Sequence, residues 1–178
     1  ITGFIITRSP ITERMTRLRS RAVKTVICLD YEREAIKWIL GGPTKHLHQL
    51  PSLAQYALAL APDSLPPGGQ HPVSISYDQE SLLFDNGVQS LFQFQPGTSR
   101  PYSSPRRYKL DLTADTATEV WNYEMDQSVS SSFCSSIYED APLNYLVDYA
   151  LVNGLTVDTK YTQLLGLTAA GKKVFYYQ

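Results

Sequence analysis

Histidine is the side chain in this sequence best suited to nucleophilic chemistry, and three occur among the 178 residues. His71 follows the glycine-rich stretch Gly68-Gly69-Gln70 and precedes alternating apolar residues that are typical of a strand. A neutral imidazole is a competent nucleophile near neutral pH, because its unperturbed pKa is about 6.5. A single histidine in such a loop is more often an ordinary polar residue, so its neighbours in the fold decide its role.

The other two histidines have a spacing that suits a metal. His46 and His48 would place both imidazoles on one side of a strand, but no Cys, Asp or Glu cluster lies nearby in the sequence. A structural or solvated pair is therefore the simpler interpretation. Cys28 and Cys134 are too few and too scattered for a zinc site or a disulfide framework, and Cys28 lies in an apolar run typical of a buried position. We expect neither a metal nor a cofactor.

The composition is that of a globular chain of one domain, or of a piece of a larger one. Hydrophobic residues make up 43% and charged residues 19%, with a net charge of −1. This balance does not favour nucleic acid or an anionic membrane as a partner. The basic run of residues 14–24 is interpreted as a solvated face or a mobile arm. No apolar stretch approaches the length of a membrane span, and the start at Ile1 suggests a fragment or a processed product.

A weak internal repeat predicts the architecture. Three segments share a β-branched or apolar run, a polar turn and a second run with an aromatic residue: residues 25–42, 106–124 and 163–178. Each is typical of an antiparallel hairpin, which is marginal in water unless it joins a larger sheet. Irregular spacing with long insertions favours β-propeller blades over a tight solenoid. We therefore predict a mainly β fold.

A short helix is predicted within the first long insertion. The helical spacing involves Leu53, Tyr56, Ala57 and Leu60, between Pro51 near the start and Pro62 as a stop.

Two more hairpins and two loops complete the predicted elements. One hairpin covers residues 73–84 with its tip at 78–81, and the other covers 143–157 with a type I′ turn at Asn153-Gly154. Residues 95–105 are expected to form a Pro/Ser-rich loop. On its own, the triplet of residues 85–87, Asp-Asn-Gly, is typical of a turn.

The order of motifs along the chain resembles that of the bacterial arylsulfate sulfotransferases. The motifs are "WILGG", "QH", "LLFDNG", "RRYKLDLTADTATEVWNYE" and "SSSFCSSIYE". The resemblance covers most of residues 20–140 and extends more weakly to the C-terminal hairpins. The Gln-His and Phe-Asp-Asn-Gly motifs are fairly specific, whereas the Trp hairpins are generic for propellers.

The resemblance implies a six-bladed β-propeller with its site near the central channel. Residues 1–178 would be a partial propeller made of the C-terminal blades. Another histidine and a His-x-Asn element of the family would lie on earlier blades, outside this chain. The resemblance also implies a periplasmic or secreted protein, and it allows a homodimer of the full-length protein.

The site residues follow from the same resemblance. His71, in the Gln-His pair, matches the family's nucleophile. The family's arginine, which lies in a Ser-Arg pair, matches Arg21 by ungapped spacing, whereas Arg8 follows a more convincing strand. The Ser/Thr that lines the acceptor pocket matches Ser135. Asn86 is a candidate for orienting the His71 loop and for contact with the substrate.

The implied reaction is transfer of a sulfuryl group from an aryl sulfate to a phenol, through a sulfohistidine and without a nucleotide or other cofactor. A guanidinium would stabilise the charge on the sulfuryl oxygens. The alternatives are a catalytically incomplete propeller fragment that acts as an interaction module, and a propeller that binds small molecules without transferring a group. The absent upstream residues and the basic run motivate the interaction module.

Overall fold

The described part of the chain forms three mainly antiparallel sheets, which confirms the mainly β prediction. The computed structural model describes residues 5–8, 15–20, 25–30, 32–43, 46–88, 98–153 and 160–178. In these ranges it contains thirteen strands, one short α-helix and two 3-10 turns. None of the described helices is long and apolar enough to cross a membrane.

The first sheet is a meander of four strands in chain order. Its strands are β1 (Ile5–Arg8), β2 (Met15–Ser20), β3 (Val26–Asp30) and β4 (Ala35–Leu40). The last two strands are the hairpin predicted over residues 25–42, and Cys28 pairs with Trp38 across them. Cys28 is buried, as predicted, since alternate residues of β3 point into the core.

The second sheet has five strands in the order β5-β9-β8-β7-β6. Their bounds are β5 (Ala59–Leu60), β6 (His71–Ile75), β7 (Ser81–Asp85), β8 (Ser104–Asp111) and β9 (Thr116–Asn122). Strands β6 to β9 form an antiparallel meander, and β5 pairs in parallel with the outer edge of β9. The hairpins predicted over 73–84 and 106–124 are both confirmed.

The third sheet is again a four-stranded meander. Its strands are β10 (Ser136–Ala141), β11 (Asn144–Val152), β12 (Tyr161–Thr168) and β13 (Lys173–Tyr177). The last two form the hairpin predicted over 163–178. Asn153 follows β11 with a φ of 68°, the left-handed region that a type I′ turn requires. Residues 154–159 lie outside the described residues, so the turn type stays a prediction.

The helix predicted in the first insertion is much shorter than its periodicity indicates. Helix α1 covers only Pro51–Ala54. The chain then extends, and its backbone pairs with strand edges: Leu58 N–H donates to the carbonyl of Ile39 in β4 at 2.9 Å, and Ala59 N–H donates to that of Asp115 at 2.8 Å. These bonds cover the outer edges of β4 and β9, which would otherwise expose unpaired backbone groups. The predicted short helix is therefore confirmed, but it ends at Ala54, because edge pairing overrides helical periodicity in the residues that follow.

The segment with His46 and His48 is not a strand. Residues His46–Gln49 form a 3-10 turn directly before α1. The alternation that would have placed both imidazoles on one side of a strand is therefore absent. No group of three His, Cys, Asp or Glu side chains that could hold a metal occurs in the part of the chain that the structure describes.

The second sheet packs between the other two, and all five residues of its strand β7 are buried. Leu83 belongs to a hydrophobic cluster shared with the first sheet, whereas Leu82 and Phe84 belong to one shared with the third. The Phe84 ring meets Tyr149 of β11 edge-on, with centroids 4.9 Å apart. The end of β7, where the Asp-Asn-Gly triplet follows, is thus held from both sides.

The first strands of the three four-stranded meanders, β1, β6 and β10, are neighbours. Strand β6 contacts β1 and β2, and β10 contacts β6 and β7. Ser74 Oγ lies 3.5 Å from the carbonyl of Ile137, and Tyr77 Oη lies 3.4 Å from that of Asp140. Tyr77, just beyond β6, follows Ser74 by three residues, and Asp140 follows Ile137 by three, so β6 and β10 run in the same direction. Their starting ends therefore lie together.

Candidate active site

His71 is the first residue of β6, where it pairs with Phe84 of β7. Its side chain is half-buried. The imidazole Nδ1 lies 2.9 Å from Oδ1 of Asn86, the residue that follows β7. The two residues are 15 positions apart in sequence, and the antiparallel pairing of β6 with β7 brings them together.

Asn86 is buried, and its neighbours determine how its amide is oriented. Nδ2 donates to the carbonyl of Ser131, so Oδ1 is the atom that faces the imidazole. An amide oxygen can only accept, which places the ring hydrogen of His71 on Nδ1. Nε2 then carries the lone pair. In the triplet 85–87, Asp85 ends β7 and Gly87 has a left-handed φ of 72°, but interpreting the triplet as only a turn misses this contact.

Phe133 lies beside the imidazole and was not singled out in the sequence. Its ring centroid is 5.9 Å from that of His71, and its side chain is 51% exposed. The following residue, Cys134, has a φ of 63°, and Ser135 N–H donates to the Phe133 carbonyl at 3.0 Å. This tight turn presents an aromatic surface next to the histidine. An exposed aromatic in a Ser-rich stretch is the only signal that could have indicated it.

Ser135 is fully buried, and its hydroxyl belongs to a network below the Phe133 turn. Its Oγ lies 2.7 Å from Oγ of Ser131 and accepts from Ala150 N–H at 3.1 Å. Ser103 joins the same network, because its Oγ donates to the carbonyls of Asn86 at 2.9 Å and Ser131 at 3.0 Å. The network fixes both the amide partner of His71 and the aromatic turn.

A buried cluster of charges adjoins the Asn86 segment. Asp85 Oδ2 accepts from Nε of Arg106 at 2.9 Å and also pairs with Arg100. Arg106 is fully buried, and its other two nitrogens bind Glu119 at 2.6 Å and Glu124 at 2.9 Å. A guanidinium has five donors in a rigid fork, which suits one cation shared by three carboxylates.

The pKa shifts of Arg106 and Glu124 show that the charges of this cluster stabilise one another. Burial disfavours the charged form of Arg106, but the Asp85 and Glu119 carboxylates outweigh burial and raise its pKa above the ordinary value. Burial also opposes ionisation of Glu124, yet hydrogen bonds from Gln127, Arg106 and Tyr102 lower its pKa. Both groups are therefore charged at neutral pH.

Of the two arginines predicted from the sequence, the structure describes the backbone of one, Arg8. Arg8 is the last residue of β1 and pairs with Met15 of β2, but its side chain is outside the described atoms. Arg21 lies outside the described residues altogether. Neither prediction is tested by the geometry. Arg100 and Arg106, which sequence reasoning did not select, are both bound to Asp85.

Among the described residues, the His71 ring has a hydrogen-bond partner at Nδ1 and none at Nε2, and an exposed aromatic ring lies next to it. Such a histidine is suited to nucleophilic group transfer from an aromatic substrate. The family model described as Arylsulfotransferase (ASST) matches residues 17–174, which is most of the chain. The chain therefore belongs to the arylsulfotransferase family. No curated protein matches the sequence. Family membership supports arylsulfotransferase function in general, that of an enzyme that transfers sulfuryl groups.

Proposed function

We propose that His71 is the nucleophile of an arylsulfate sulfotransferase that works by a ping-pong mechanism. Family membership supports the reaction class. The observation that supports His71 itself is its 2.9 Å hydrogen bond to Asn86, which leaves Nε2 free to attack. The donor would be an aryl sulfate and the acceptor a phenol.

In the first half-reaction, Nε2 attacks the sulfur of the aryl sulfate. The N–S bond forms as the bond from sulfur to the aryl oxygen breaks, and the phenolate leaves with the electron pair. The product is a sulfohistidine whose ring is positively charged and whose sulfuryl group is negatively charged. The Nδ1 hydrogen still donates to Asn86 Oδ1, so the ring charge is stabilised by a bond already in place.

In the second half-reaction, the oxygen of the acceptor phenol attacks the same sulfur. The N–S bond breaks, its electron pair returns to Nε2, and the phenol proton is released. The histidine is then neutral again with its hydrogen on Nδ1. Asn86 thus keeps one tautomer throughout the cycle, which is why we assign it an orienting role.

An arginine against the sulfuryl oxygens completes the proposed transition-state stabilisation. Strands β6 and β10 run in the same direction, and in the proposed propeller β1 would do so too. Strands β1 and β2 are antiparallel and pair Arg8, at the end of β1, with Met15, at the start of β2, so β2 ends beside the start of β1. His71 lies at the start of β6. This topology therefore supports Arg21, which follows the end of β2, over Arg8, which lies at the end of β1. Losing such a donor would cost about 3 kcal/mol, roughly a hundredfold in rate.

The acceptor side of the site would be formed by the turn that carries Phe133. Its exposed ring offers an apolar face for an aryl group next to the His71 ring. Ser135, the residue expected in the acceptor pocket, would support that turn through its bond to Ser131.

The proposed architecture is a six-bladed propeller of which this chain forms the C-terminal blades. Three successive four-stranded meanders whose first strands are neighbours support that arrangement. A six-bladed propeller needs three further sheets of this kind, and these would carry the family's other histidine and its His-x-Asn element. A periplasmic or secreted location and a homodimer of the full-length protein belong to the same proposal.

The proposal is tested with the protein that carries this chain, 4-nitrophenyl sulfate as donor and phenol as acceptor. Release of nitrophenolate should depend on phenol and should be lost in His71→Asn. His48→Asn is the matched control, because His48 is exposed and lies in the 3-10 turn before α1. Undiminished transfer in His71→Asn would overturn the assignment. Absence of release in the unmodified protein would favour the interaction module.

A further inference from the structure

We propose that Asp85 is a positioning residue whose buried carboxylate sets the geometry of the His71–Asn86 pair. This inference rests on the proposed function of His71 as the nucleophile. The carboxylate does not contact His71. It acts through the two chain segments that carry the imidazole and its amide partner.

One oxygen of Asp85 joins those two segments. Oδ1 accepts from Gly68 N–H at 2.9 Å and from Gly87 N–H at 3.0 Å. Gly68 lies three residues before His71, and Gly87 directly follows Asn86. A backbone bond joins the same two segments, because Val88 N–H donates to the Gly68 carbonyl at 3.0 Å. The segment before His71 and the segment after Asn86 are therefore both hydrogen-bonded to a single atom, Oδ1 of Asp85.

The glycines at these two positions allow the close approach. A Cβ at Gly87 would lie 2.4 Å from the carbonyl oxygen of Tyr102, and the φ of Gly87 is +72°. A Cβ at Gly68 would lie 3.3 Å from the guanidinium of Arg100. The backbone around Asp85 is thus packed so closely that the two N–H groups have little freedom to leave the carboxylate.

The other oxygen of Asp85 is anchored by the buried cations. Oδ2 accepts from Arg106, which Glu119 and Glu124 hold from the far side, and it also pairs with Arg100. A carboxylate with both oxygens committed in this way has a fixed position and orientation. A continuous set of bonds runs from Glu119 through Arg106 and Asp85 to the backbone N–H of Gly87, the residue that follows Asn86. Preorganisation of this kind holds a reactive group within the narrow tolerance that transfer requires.

The experiment replaces Asp85 by Asn and uses Asp111→Asn as the matched control. Asp111 also accepts from two backbone N–H groups, those of Thr113 at 2.9 Å and Ala114 at 3.0 Å. It lies at the opposite end of β8 from Ser104, the partner of Asp85, roughly 23 Å along the strand. The readouts are kcat and KM for 4-nitrophenyl sulfate with phenol, and the imidazole ¹⁵N shifts of His71.

We expect Asp85→Asn to lower kcat by about 10- to 100-fold with a much smaller change in KM, because a misplaced nucleophile loses rate rather than binding. The ¹⁵N shifts should change from a single Nδ1–H tautomer to a mixture of both tautomers. Asp111→Asn should keep the kcat and the tautomer of the unmodified protein. The tautomer measurement needs no substrate, so it separates failure of this inference from failure of the proposed function.

Two further variants keep the test decisive if Asp85→Asn folds poorly. Arg100→Gln removes one of the two cations at Oδ2 and leaves both backbone bonds of Asp85, so we expect a smaller loss in kcat of about 3- to 10-fold. Leu165→Ala weakens the core of the third sheet and should leave kcat per folded molecule unchanged. Unchanged kcat and a single tautomer in Asp85→Asn or Arg100→Gln would overturn the inference, as would equal losses in Leu165→Ala.

Discussion

The proposed chemistry of the site depends on a single hydrogen atom on the His71 ring. Asn86 offers only an oxygen to the imidazole because its nitrogen is committed to the carbonyl of Ser131. That arrangement places the lone pair on Nε2 and leaves Nδ1–H to stabilise the charge that develops on the ring. A histidine that looks ordinary in the sequence thus has the tautomer that the proposed nucleophile requires.

The aromatic ring next to His71 should determine how well aryl substrates bind. We predict that Phe133→Ala raises KM for 4-nitrophenyl sulfate or for phenol roughly 2- to 10-fold, since aromatic pairs contribute about 0.5–1.5 kcal/mol. Phe133→Leu should lose less, because it keeps most of the apolar area. Tyr177→Ala, at an exposed position on β13, serves as the control. Steady-state kinetics with each substrate varied in turn check this, and an unchanged KM for both in Phe133→Ala would exclude the role.

Local signals in the sequence predicted part of the site. His71 and Asn86 stood out because the residue types fit the chemistry and because the motifs that carry them resemble the family. Their contact was not predictable, since it depends on the register of β6 with β7. Arg106 and Glu119 gave no such signal, because charged residues in alternating strands are normally solvent-exposed.

At the level of the elements, hairpins were predictable and the edge strand was not. The hairpins β3–β4, β8–β9 and β12–β13 each have a polar turn between apolar runs, so their pairing is specified within about 20 residues of sequence. Strand β5 pairs in parallel with β9, more than 50 residues away, and no local signal marks such a partner. The helical periodicity of this segment therefore misled the prediction beyond Ala54.

The bend after β7 should tolerate no side chain at Gly87. We predict that Gly87→Ala destabilises the fold by about 2–4 kcal/mol, because a Cβ would overlap the Tyr102 carbonyl at 2.4 Å in addition to the strain of a φ of +72°. Gly171→Ala is the matched control. Its φ is +73°, but the Cβ would meet only the Tyr123 ring at 3.3 Å, so about 1 kcal/mol is expected. Chemical denaturation measures both, and equal losses would contradict the packing argument.

For the molecule as a whole, the buried charges of the second sheet should contribute strongly to stability. We predict that Arg106→Met lowers the free energy of unfolding at pH 7 by about 3–5 kcal/mol, since it leaves buried carboxylates without their cation. Arg33→Met is the control, because Arg33 is 61% exposed although it pairs with Asp30, and it should cost at most about 1 kcal/mol. Urea denaturation of both variants checks the difference. Similar losses would show that Arg106 has no special role.

The same cluster should make stability depend on pH in the acid range. The pKa of Glu124 is lowered in the folded state, so its stabilisation is present above the ordinary value of about 4.3 and is lost as the pH falls through the lowered value. Arg106→Met removes one cause of that lowering. The loss of stability as the pH falls from 7 to about 3, below the ordinary value, should therefore be smaller in the variant than in the unmodified protein, and an equal or larger loss would contradict the linkage.

The most direct test of His71 is to trap the sulfuryl group on it. The protein that carries this chain is incubated with 4-nitrophenyl sulfate in the absence of phenol, and its peptides are mapped by mass spectrometry. We predict one sulfuryl group per molecule on the peptide that contains His71. Added phenol should then remove the group with formation of an equal amount of phenyl sulfate. Transfer to phenol with His71 never labelled, or with the label on another residue, would contradict the proposal.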